Sequence, residues 1–105
     1  MNISVEDVRN ALRKDDFEYI NTQIKRYIEA AKASLYTTLG EKVGGVYFMV
    51  KPEYVAEFET LTDSYIIEYC RAFIDQVDNE RMMAIIATQC ETFILLKPEG
   101  KKDGC

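Results

Sequence analysis

The 105-residue chain contains no histidine and no tryptophan, and it has only two prolines. Without histidine it cannot build Ser-His or Cys-His nucleophile pairs, imidazole metal sites or the usual general base of neutral pH. Its three cysteines, Cys70, Cys90 and Cys105, lack the spacing of a paired-ligand metal site and fit reduced thiols. Patterns such as GxxxxGK[ST], GxGxxG and HExxH are missing. We therefore expect a protein that is not an enzyme and uses no cofactor or metal.

Basic residues are outnumbered, 13 against 18 acidic ones, which gives a net charge of −5. Specific or tight DNA binding needs a cationic surface, because the affinity comes largely from counterion release at the phosphates. No apolar run approaches the roughly 20 residues of a membrane-spanning helix, and no signal-peptide pattern precedes the first helical segment. The sequence thus predicts neither a nucleic-acid-binding domain nor a membrane protein.

The N-terminal half carries the strongest helical pattern. Ser4 and Asp7 form a shortened capping box that starts a first helix over residues 4–14. From Phe17 to Leu39, seven apolar residues recur at three- and four-residue steps, which predicts a second helix over residues 16–39, about 36 Å long. Gly40 stands where a left-handed residue would end that helix.

The C-terminal half begins at a break in the helical pattern. Residues 44–52 contain two glycines, a short run of β-forming residues and a proline. This pattern predicts either an extended loop laid over the core or a short β-hairpin or extended arm that pairs with a neighbour. Helical spacing resumes as two helices over residues 53–77 and 79–96, or as one long kinked helix. The sequence thus predicts an all-α bundle of about four helices with one long central helix, forming one domain over residues 1–96, and a flexible tail over residues 97–105.

Two sets of residues are candidates for a contact surface. Small side chains give the second half of the central helix a face that another helix could approach closely, either within the chain or from a second subunit. Aromatic residues gather around the break, and tyrosine is enriched at protein interfaces. The candidate interface residues are Ala30, Ala33, Ser34, Tyr36, Tyr47, Phe48 and Tyr54.

The segment up to Gly40 resembles the small head–tail connector (adaptor) proteins of tailed bacteriophages and prophages. The likeness covers about forty residues: a short capped helix, an acidic turn and a long helix ending at Leu39-Gly40. The residues that carry it are Val8, Leu12, Asp15, Asp16, Ile20, Ile24, Ala30, Ala31, Leu39 and Gly40. Residues 44–50 and the acidic second half have no counterpart that we can match.

The resemblance implies a structural protein made in the bacterial cytoplasm and located at the head–tail junction of the virion. Such connectors form homo-oligomeric rings between the portal protein and the tail-completion proteins, while DNA passes through without being specifically bound. An acidic channel wall would suit that passage, and Glu57, Glu68 and Asp75 are its candidate residues. The alternative is a small helical protein–protein interaction or regulatory module from a mobile element.

Overall fold

The capped N-terminal segment forms α1, Val5–Ala11, in the computed structural model, which describes residues 3–41 and 47–97 of the chain. The predicted capping box is confirmed: the Ser4 hydroxyl accepts from the Asp7 backbone N–H at 3.1 Å, and the Ser4 N–H donates to Asp7 Oδ2 at 3.0 Å. The helix is shorter than predicted. It ends because Arg13 turns into the left-handed region, with φ 58°.

The long central helix is α2, Glu18–Glu41. Its stripe of buried side chains, Ile24, Ile28, Ala31, Leu35 and Leu39, follows the predicted period. The prediction that Gly40 ends the helix is wrong, since α2 continues through Gly40 to Glu41. Leu39 is 1 % exposed and packs in the core, and this packing outweighs the cost of about 1 kcal/mol for a glycine within a helix.

The break after α2 contains β1, Tyr47–Val50, and residues 42–46 lie outside the described part of the chain. This strand does not close a local hairpin. It pairs antiparallel with β2, Ile94–Lys97, with Met49 opposite Leu95 and Val50 opposite Ile94. The prediction of a helix over residues 79–96 is therefore wrong in its last residues, which form a strand.

A single 3-10 turn, Pro52–Tyr54, leads into α3, Val55–Ile74, and a short connection then leads to α4, Glu80–Glu91. Two helices are therefore present rather than one kinked helix. The connection includes Gln76 at φ 55°, a left-handed residue that reverses the chain direction. Lys97 belongs to β2, so this strand reaches one residue into the predicted tail; residues 98–105 lie outside the described part.

The core runs along the molecule as two adjoining clusters. One joins α1 to the first half of α2 and the end of α3, and it includes Val8, Ile24 and Ile66. The other joins the second half of α2 to α3, α4 and β2, and it includes Leu35 and Ile86. The molecule measures 52 × 25 × 24 Å with a radius of gyration of 15.2 Å, against about 13 Å for a compact chain of this length. The structure is thus an elongated all-α bundle with a small two-stranded sheet.

Candidate interaction surface

The small-residue face of α2 packs mainly inside the chain. Ala31, at its centre, is fully buried in the cluster that includes Ile66 of α3. The Ser34 hydroxyl lies 3.2 Å from the Tyr65 hydroxyl of α3, at hydrogen-bonding distance. Ala30 is half-buried and Ala33 is exposed. This half of α2 therefore already has a helical partner within the chain, and Ala33 is the small residue that the described structure leaves open.

Of the candidate aromatic residues, Tyr36 and Tyr54 have side chains that the structure describes, and these two lie on different elements. Tyr36 lies on α2 with 44 % of its surface exposed. Tyr54 precedes α3, is 37 % exposed, and packs against Phe93 with the rings tilted and their centroids 5.0 Å apart. The backbone of Tyr47 and Phe48 lies in β1, and their side chains fall outside what the structure describes. Tyr54 is thus a candidate whose ring packs against the residue that follows α4 by two positions, Phe93.

The three candidate channel residues lie along α3 and its C-terminal end, but they differ in their surroundings. Glu57 is exposed near the N-terminus of α3. The Glu68 carboxylate accepts from Asn79 Nδ2 at 2.9 Å and lies 3.6 Å from Arg71 Nε. Asp75 forms an ion pair with Lys14. The charges of Glu68 and Asp75 are therefore partly compensated inside the chain.

A groove of about 440 Å³ opens between α3 and the end of α4, and we call it the α3–α4 groove. Its apolar floor includes Leu61 and Phe93. The Lys51 ammonium group lies close to the groove, since Lys51 Nζ donates to the backbone oxygen of Thr92 at 3.3 Å. The residues that line it are Glu57, Thr60, Leu61, Gln89, Thr92 and Phe93. This groove is open and mostly apolar, with polar groups at its rim, as sites that receive a protein side chain commonly are.

The outer face of α4 adjoins the groove, because Gln89 lines both. Met82 and Ile85 on this helix are 51 % and 50 % exposed, whereas the next residues along the chain, Met83 and Ile86, pack in the core. A shallow depression of about 270 Å³ lies on this face, lined by Arg81, Ala84, Ile85, Thr88 and Gln89. This surface was not predicted from the sequence, although the doublets Met82-Met83 and Ile85-Ile86 indicate a helix with apolar residues on two sides.

A second surface that the sequence analysis missed is the aromatic pair Phe17–Tyr19 at the start of α2. The rings stack with centroids 5.9 Å apart and are 52 % and 69 % exposed. The helical period places Phe17 in the buried stripe, but α2 begins only at Glu18, so this residue precedes the helix and turns outward. Phe73 of α3 is also 52 % exposed, and its ring stacks on that of Tyr27 with centroids 5.4 Å apart.

The two described thiols are structural. Cys70 and Cys90 are fully buried, one in each core cluster. Burial raises the pKa of the Cys70 thiol to about 12 and that of Cys90 to about 11, the latter with a contribution from the Glu91 charge. Because the thiolate is the reactive form, neither thiol is suited to nucleophilic or metal chemistry at neutral pH.

Over residues 3–41 and 47–97, no group of three or more acidic or cysteine side chains is placed to hold a metal ion. Among the helices of that same part, none combines the length and the apolar character that crossing a membrane requires.

No family model matches the chain, and neither curated proteins nor solved structures gave a match. The arrangement of side chains is therefore what bears on function: apolar residues are exposed at several places along the molecule, and the α3–α4 groove adjoins those on α4.

Proposed function

We propose that the chain is a structural head–tail connector of a tailed phage or prophage, which forms a ring between the portal and tail-completion proteins. The observation that carries the proposal is that large apolar side chains are exposed in neighbouring pairs at separate places on so small a fold. Phe17, Tyr19, Met49, Ile85 and Leu95 are each at least 50 % exposed. Extended exposed apolar surface on a soluble domain commonly marks sites of protein–protein contact.

The distribution of these residues along the molecule also favours assembly. The Phe17–Tyr19 pair lies where α2 begins. The cross-strand pair Met49–Leu95 lies on the sheet, which packs in the same cluster as Leu39 near the other end of that helix. Contact surfaces at opposite ends suit a heterologous, head-to-tail interface, in which one end of each copy meets the other end of the next. Such interfaces close into rings when the rotation between copies permits.

The likeness to connector proteins rests on two elements that are well formed in the structure: the capped helix α1 and the long helix α2. The Arg9 guanidinium joins them, donating to Asn21 Oδ1 at 2.9 Å and lying 3.5 Å from Asp16 Oδ1. This contact links α1 to the first turn of α2 across the acidic turn, so the acidic turn is a structural part of the proposed connector.

The acidic channel wall is part of the same proposal, and its three candidate residues differ in how much negative potential they would supply. Glu57 is the strongest candidate, because it is exposed. Glu68 and Asp75 would contribute less negative potential, because each has a cationic neighbour within the chain, Arg71 and Lys14 respectively. A reconstruction of the assembled ring with all three carboxylates facing away from the channel would remove this part of the proposal.

The experiment that tests the connector function mixes the purified chain with portal rings made from the same source genome. Electron microscopy should show an added ring of density on one end of the portal. A Phe17→Ser/Tyr19→Ser variant, which keeps the helix and removes the exposed rings, should bind less. A chain that stays apart from the portal, yet binds another cellular protein, would favour the alternative of an interaction or regulatory module.

A further inference from the structure

We propose that the free chain forms a two-fold symmetric dimer through the outer face of α4, in which Arg81 of each copy enters the α3–α4 groove of the other and meets Glu57. The occupant of the groove is thus a second copy of this chain. The inference does not depend on the connector proposal, because it rests on the apolar and charged residues of this one surface.

The first step is the direction of the helices. Asn79, just before α4, donates to the backbone and side-chain oxygens of Glu68 at 2.8 and 2.9 Å, near the C-terminal end of α3. Glu57, at the other end of α3, shares the groove with Gln89 near the end of α4. The two helices therefore run antiparallel, and the groove lies at the opposite end of α4 from Arg81.

The second step is the spacing along α4. Arg81 precedes Gln89 by eight residues, which corresponds to about 12 Å of helix. Ile85 lies midway between them and is half exposed. A two-fold axis passing beside Ile85 therefore turns the Arg81 end of one helix onto the groove end of the other. In such an isologous interface every contact occurs twice.

The third step is charge and shape. Arg81 and Glu57 are both exposed and opposite in charge, so the two-fold arrangement forms two equivalent ion pairs. The methylene stem of an arginine packs on apolar surface while its guanidinium stays at the polar rim. The groove offers this combination, with Leu61 and Phe93 in its lining and Glu57 beside them. Ile85 of the two copies meets at the centre.

The face is short, so the dimer should be weak. The 12-residue helix α4 is about 18 Å long, and contacts below about 1,200 Å² in total characterise transient complexes. A Glu57 carboxylate that is paired with Arg81 of a second copy cannot also face the channel of a ring. The dimer is therefore a state of the unassembled chain, and its α4 contact would dissociate when a ring forms.

The test is sedimentation equilibrium of the full chain from about 5 µM to about 500 µM, a range that brackets micromolar dissociation constants. The wild-type mass should rise from 12.1 kDa towards twice that value and stop there. Arg81→Glu and Glu57→Arg should each raise the dissociation constant about tenfold or more, because each places like charges together twice. The combined charge swap should return it to within about threefold of wild type, the additivity test of a direct contact.

Two further variants locate the axis. Ile85→Cys, made with Cys105→Ser, should form an intermolecular disulfide rapidly when oxidised glutathione is added, which accepts the two electrons and leaves as two molecules of reduced glutathione. Lys25→Glu on the exposed surface of α2 should leave the dimer unchanged. The proposal is overturned if the wild type stays at 12.1 kDa throughout, if the charge swap fails to restore the dimer, or if the mass rises beyond two copies through other surfaces. Helical circular dichroism checks that each variant is folded.

Discussion

Replacing Leu35 by alanine tests the packing that holds α2, α3 and α4 together. Leu35 is fully buried in the cluster that contains Phe58, Tyr65 and Ile86. The substitution removes three carbon atoms, worth about 0.8 kcal/mol each in transfer free energy. The cavity left behind adds to that loss, so we expect the free energy of unfolding to fall by about 3 to 4 kcal/mol.

Urea unfolding followed by circular dichroism measures this loss. With a denaturant slope of about 1.5 kcal/mol/M, the midpoint should fall by about 2 M. The matched control is Leu95→Ala in β2, which removes the same atoms from a side chain that is 52 % exposed and should cost about 1 kcal/mol or less. Equal losses for the two variants would refute the assignment of Leu35 to the core.

Further predictions concern the helix cap and the thiols. Ser4→Ala removes the side-chain acceptor of the α1 cap and should lower the free energy of unfolding by about 1 kcal/mol, measured by urea unfolding. In a Cys105→Ser variant, a thiol reagent at pH 8 should leave Cys70 and Cys90 unmodified until the chain unfolds, and fast modification of the native protein would contradict their burial. Since the folded pKa values of these thiols are raised to about 12 and about 11, the unfolded chain loses their protons first. Their contribution to stability should therefore be complete below pH 9 and decline as the pH rises through 9 to 12, which unfolding at graded alkaline pH measures.

The four helices could be predicted from the sequence because each has one buried face, and a buried face of a helix leaves a period near 3.6. The same period reaches residues 94–97, yet they form the strand β2. Ile94 continues the helical period of α4, and a short apolar run can form either a helical turn or a strand. Its strand partner, β1, lies more than 40 residues earlier in the chain, and no local pattern reveals such a pairing.

The candidate surfaces were harder to predict, because neighbouring residues of the same type have opposite environments. Ile85 is half exposed and Ile86 is buried, so composition alone cannot say which of them faces solvent. The ion pair of Asp75 was equally hard to predict. Its partner, Lys14, lies in the connection between α1 and α2, 61 positions earlier in the chain. Contacts of this kind depend on how the helices pack, and the periodicity of one helix carries no information about them.

The connector proposal is tested most directly by deleting the gene from the phage or prophage that encodes this chain and examining the particles by electron microscopy. We predict heads and separate tails that fail to join, with joining restored when the wild-type chain is supplied from a plasmid. Complete, tailed, infectious particles produced without the chain would contradict the account.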